Sequence, residues 1–112
     1  MLIVSKYGEI KLTRGDTAYL IVTPTIGKGE EKQPYTVKND DVLIFTVKED
    51  YDDDEAIIKK EITGSTTFHI KPEDTKGLAF GKYKYDVQLR PPDGENYTFI
   101  ADKVFEITKE VG

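Results

Sequence analysis

Apolar and polar residues alternate one by one over short stretches of this chain, and turn-forming residues interrupt the alternation roughly every 8–15 positions. Every second side chain of a strand shares a face, so this rhythm predicts half-buried strands. The clearest case is residues 81–90, where Tyr83, Tyr85, Val87 and Leu89 alternate with Lys82, Lys84, Asp86 and Gln88. Residues 42–49 predict a second strong strand, with Leu43, Phe45 and Val47 on one face and Val42, Ile44, Thr46 and Lys48 on the other. In residues 17–23, Ala18, Leu20 and Val22 oppose Tyr19 and Ile21; Pro24 ends the strand because it has no N–H for a ladder. Residues 9–13 predict an edge strand with Ile10 and Leu12 on one face, and residues 35–37 a short strand. Residues 56–63, with Ile58 and Ile62 bracketing Lys60, and residues 66–71, with Phe68 and Ile70 inward, read as strands joined by a hairpin turn at Gly64-Ser65. Residues 97–101 and 103–108 close the pattern, Phe105 and Ile107 pointing inward.

One segment breaks the strand rhythm. Pro72-Glu73-Asp74-Thr75-Lys76-Gly77 suits a single helical turn: proline fits the first position, acids face the positive end of the dipole, and glycine stops the turn. The whole pattern predicts one all-β domain over residues 1–112. Its class is an immunoglobulin-like antiparallel β-sandwich of about seven or eight strands, with that one helical turn near 72–77. In such sandwiches a tyrosine near the start of the sixth strand bonds backward to corner backbone. Tyr83 stands there, after Leu78 and Gly81, which makes these three residues a candidate structural corner. Tyr85 then occupies the place where antibody domains carry a cysteine.

Composition narrows the partners. Sixteen Lys and Arg against 21 Asp and Glu give a net charge of −5, which opposes nucleic-acid binding, since that needs a basic face to displace counterions. Seven Tyr and five Phe supply bulk for a small core. The absence of cysteine excludes disulfide scaffolds, thiolate metal sites and cysteine nucleophiles. No apolar run approaches the ~20 residues of a membrane span, and residues 1–6 lack the features of a signal peptide, so no membrane partner is expected.

Candidate chemistry is sparse. His69, the one histidine, alternates outward between Phe68 and Ile70, with no nucleophile or ligand set beside it in sequence. Gly27-Lys28-Gly29 matches no phosphate-binding loop. The acidic run at residues 49–55 offers Asp52, Asp54 and Glu55 to a calcium ion but lacks the alternating ligands and central glycine of an EF-hand; it reads first as a solvated loop. Arg14-Gly15-Asp16 spells an adhesion tripeptide and equally spells a turn. No catalytic, cofactor or metal residue is therefore assigned, and the expectation is a non-enzyme. Tyr19 and Ile44, on outward faces, and Tyr97 are the candidate interaction surface.

The order of segments carries a resemblance. Leu12-Thr13-Arg14-Gly15-Asp16-Thr17-Ala18, Asn39-Asp40-Asp41-Val42-Leu43-Ile44-Phe45, and above all the stretch from Asp74-Thr75 to Gly81-Lys82-Tyr83-Lys84-Tyr85-Asp86-Val87-Gln88-Leu89 resemble small immunoglobulin-like phage structural proteins, in particular the N-terminal domain of the phage baseplate upper protein family. The resemblance implies a protein–protein adaptor of tail or baseplate, made in the bacterial cytoplasm and carried in the virion. Its partners would be other tail or baseplate proteins, or further copies of itself. The chain departs from that family in stopping at Gly112, without a long downstream region for a receptor-binding assembly. The alternative is a carbohydrate-binding or adhesion sandwich at a cell surface, for which Tyr7, Tyr35, Tyr51 and Tyr97 are candidate contacts.

Overall fold

A computed structural model describes residues 1–27, 32–50 and 55–109. The strands are β1 (Leu2–Val4), β2 (Ile10–Thr13), β3 (Ala18–Ile21), β4 (Thr25–Ile26), β5 (Gln33–Pro34), β6 (Val42–Lys48), β7 (Ile58–Thr63), β8 (Thr67–Ile70), β9 (Gly81–Arg90) and β10 (Tyr97–Thr108); the helix α1 (Pro72–Lys76) lies between β8 and β9. The chain is all-β. Six strands form one sheet in the order β1-β2-β10-β9-β6-β7, β3 and β8 form a second, and β4 and β5 a small ribbon.

The alternation decides what goes inside. Along β9 the odd-numbered side chains from Tyr83 to Leu89 are buried while their neighbours are not. Leu43, Phe45 and Val47 of β6 are fully buried from the large sheet; Leu20, Phe68 and Ile70 meet them from the small one. Phe45 stands at the centre, its ring 5.6 Å from Phe68, 5.6 Å from Tyr85 and 5.9 Å from Phe105, all tilted as aromatic quadrupoles prefer. The contact between Phe45 and Phe68 joins the two sheets.

Several expectations are corrected. Residues 9–13 do not form an edge: β2 is flanked by β1 on one side and β10 on the other. Ile10 and Leu12 are fully buried, and two neighbours satisfy a strand better than one. The β2–β10 pairing is parallel, so the sheet is mixed rather than wholly antiparallel. Gly64-Ser65 does not close a hairpin; β7 ends in the large sheet and β8 begins in the small one. Gly64 has φ +69 and donates its N–H to the Asp41 carbonyl at 2.9 Å, so the turn is anchored to the start of β6 instead of to a paired strand. The strand expected at residues 35–37 lies at Gln33–Pro34 instead, paired with Thr25–Ile26; Tyr35 adds one bond from its N–H to the Pro24 carbonyl. The two closing strands are one, β10, bent by register shifts after Thr98 and Ile100 and by Asp102 at φ +51.

Helix α1 sits where the sequence puts it. Asp74 accepts the Lys71 N–H at 2.8 Å, closing the first turn. Buried Thr75 accepts the Gly15 N–H at 2.8 Å and so ties α1 to the β2–β3 turn. Lys60 faces inward on β7, as its bracketing by Ile58 and Ile62 implies, but its stem carries the ammonium to the rim, 2.7 Å from Asp74. Burial alone would push the Asp74 carboxyl up; the hydrogen bonds from Lys60 and Lys71 and their charges outweigh it and hold the carboxyl below its usual value.

Candidate functional site

The corner residues come together. The Tyr83 hydroxyl donates to the Ala79 carbonyl at 2.7 Å. Leu78 packs half-buried against the core and donates its N–H to Thr75 at 2.9 Å. Gly81 has φ +139, where a side chain would strain the backbone. Beside them the Arg14 guanidinium lies 4.1 Å from the Phe80 ring and donates to the Leu78 carbonyl at 3.3 Å. Gly15 has φ +82, and Asp16 pairs with the N-terminal ammonium. Replacing Tyr83 by phenylalanine is expected to leave the fold intact and cost about 1 kcal/mol, read as a lowered urea midpoint, because only the hydroxyl bond is lost.

Tyr85 has a second inward role. Its hydroxyl donates to the Gly8 carbonyl, and burial pushes the phenol up to about 12. An unfolded tyrosine ionises near its ordinary value of about 10. Since the folded value is raised, the stability Tyr85 contributes is complete below about 10 and is lost as pH rises from there towards 12. Ultraviolet titration is expected to show Tyr85 ionising last and together with unfolding; Tyr85→Phe removes that late step.

Tyr19, Ile44 and Tyr97 do not form one surface. Tyr19 is 61% exposed on the outer face of the small sheet, where its ring stacks on His69 with centroids 4.7 Å apart and planes 10° apart. Ile21, two residues along, is 72% exposed on the same face. Sequence reading put Ile21 beside Tyr19 but did not select it; the signal was the repeat of apolar residues on an outward face. Tyr97 is 36% exposed and opposes Leu89 at the end of the large sheet.

Ile44 corrects an expectation: it faces outward from β6 but is buried. Its register neighbours are Glu61 on β7 and Gln88 on β9, and long polar side chains of this kind cover an apolar residue set between them. A shallow hollow here is lined by Ile44, Lys48, Lys59, Asp86 and Arg90 among others. Asp86 Oδ1 is enclosed without a hydrogen-bond partner; burial pushes its carboxyl up, and the Lys48 charge opposes that shift. Sequence reading missed Asp86, because its position is an ordinary polar slot in an alternating strand.

At the loop end, Asp41 is buried and accepts the Tyr35 hydroxyl at 2.7 Å and the Lys38 N–H at 2.8 Å. The bond to Asp41, with burial and the same charge, raises the Tyr35 phenol above its ordinary value. Among the described residues no group of three acids or histidines is placed to hold a metal ion. Asp52 and Asp54 of the acidic run lie outside the described residues, as do Lys28 and Gly29.

No protein-family model, curated protein or solved structure matches this chain. No helix among the described residues is long and apolar enough to cross a membrane.

Proposed function

We propose that this chain is a non-enzymatic immunoglobulin-like module of a phage or prophage, a protein–protein adaptor of tail or baseplate. The observation that supports it most is the outer face of the small sheet, where Tyr19 and Ile21 stand out in solvent on a strand that has, among the described residues, no neighbour on its far side. Exposed apolar side chains beside an open sheet edge suit contact with another protein, through main-chain pairing and aromatic anchoring together. The resemblance of residues 74–89 to the baseplate upper protein domain supplies the setting, and the fold class agrees with it. In this reading the module is made in the cytoplasm, joins the virion, and works by holding neighbours in place.

Native mass spectrometry of the chain mixed with each tail and baseplate protein encoded near it tests the proposal. A stable complex with at least one of them is the expected result, and no complex with any of them overturns it. The stacked rings of Tyr19 and His69 favour a second reading, a carbohydrate-binding face, because sugars lie flat on such rings. Selective retention on a glycan array, lost in Tyr19→Ala, would support that reading over the adaptor.

A further inference from the structure

We infer that the open edge of β3 is a self-association site, and that two copies of this chain pair there antiparallel about Leu20. The hydrogen-bond parity of β3 carries the argument. Val22 donates its N–H to Thr66 on the β8 side at 3.0 Å. Bonded and non-bonded pairs alternate along an antiparallel ladder. With Leu20 opposite Phe68 and Tyr19 opposite His69, Ala18, Leu20 and Val22 therefore turn their main-chain groups to β8. Tyr19 and Ile21 turn theirs away, to the side where no strand lies among the described residues. Their side chains are the two most exposed apolar groups on that sheet.

Natural edges are guarded by charge, proline or shortness. Among the described residues, the outer edges of β7, β1 and β8 are. Strand β7 carries Lys59, Lys60 and Glu61, and β1 is three residues long. On β8 the Thr67 N–H is already taken by the Ser65 hydroxyl at 3.2 Å, and Lys71 follows the strand. Residues 17–23 hold no charge and no proline, so β3 is unguarded in an otherwise strongly charged chain.

A second copy fits this edge better than an arbitrary strand does. Two-fold pairing centred on Leu20 sets Tyr19 of each copy opposite Ile21 of the other, in the bonded register that their free N–H and C=O groups require. Each exposed apolar side chain then covers the other, Thr17 faces Thr23, and Asp16 faces Pro24 of the second copy, so no like charges meet. Two two-stranded sheets become one of four strands. The contact is small, below about 1,200 Å² in total, which places it among weak interfaces. It would hold at roughly 10–500 µM for the free chain and tighten where an assembly already holds two copies together.

The inference deepens the adaptor reading by naming one contact and its occupant, and rests on that reading only for its purpose. Its test uses the purified chain alone, so the two can fail separately. Sedimentation velocity from about 5 µM to 1 mM is expected to show a monomer–dimer equilibrium. Ile21→Lys is expected to weaken it by about 10-fold or more. Ile21→Pro, which removes an N–H pointing away from β8, should do the same while the thermal melt at low concentration stays near that of the parent. The chain has no cysteine, so register can be read directly. Tyr19→Cys mixed with Ile21→Cys is expected to form a disulfide under oxidised glutathione, since bonded pairs stand about 5.5 Å apart, and to do so faster than Tyr19→Cys alone. A monomer throughout the range, a dimer indifferent to both Ile21 variants, or crosslinking that favours Tyr19→Cys alone each overturns the proposal.

Discussion

Replacing Phe45 by alanine is expected to remove about 3–5 kcal/mol of stability, the largest effect of any single change considered. Phe45 is fully buried and touches aromatic partners from both sheets: Phe68 from the small one, Tyr85 and Phe105 from the large one. Truncation leaves a cavity among these three rings and loses the tilted ring contacts as well. Small domains hold only about 5–15 kcal/mol in total. A large share of the fold's margin therefore rests on one ring. Urea titration followed by tyrosine fluorescence measures the loss; Phe45→Leu, which refills much of the volume, should recover part of it. An unchanged midpoint in Phe45→Ala would mean that the two sheets are not held together through this ring.

Replacing Asp41 by alanine is expected to cost about 2–3 kcal/mol. The carboxylate is 1% exposed and receives the Lys38 N–H and the Tyr35 hydroxyl, while the residue's carbonyl receives Gly64. The first two bonds are charge-assisted, and their loss leaves the Lys38 N–H and the Tyr35 hydroxyl without this acceptor. A second readout separates this bond set from general loosening. The Tyr35 phenol is raised first of all by its bond to Asp41, so in Asp41→Ala its ionisation should fall back towards the ordinary tyrosine value. Asp41→Asn keeps an acceptor oxygen and should lose less stability than Asp41→Ala.

Local patterns were readable where strands are long and one face is buried. Strand β9 has the bounds its alternation gives, α1 begins at its proline, and the Tyr83 hydroxyl makes the backward bond that its position suggests. What was not readable depends on partners distant in sequence. A strand of two or three residues, like β1, β4 or β5, is too short to show a rhythm. That β2 is interior depends on β10 arriving alongside it almost a hundred residues later. Gly64-Ser65 looks like a hairpin turn in sequence because the same glycine conformation also serves a crossing between sheets. Ile44 and Tyr19 read alike as outward apolar residues; only the neighbouring strands decide that one is covered and the other is not. Among the described residues Ile44 has two flanking strands to lend long side chains, and Tyr19 has one.

The pairing of β2 with β10 has a mechanical consequence. The two strands run the same way, with Ile10 beside Phe105 and Thr13 beside Thr108. Tension applied at opposite ends of the molecule, before Ile10 and after Thr108, drags one strand lengthwise past the other. The rungs of that ladder then share the load in shear and must rupture together, whereas a hairpin pulled at its two free ends unzips one rung at a time.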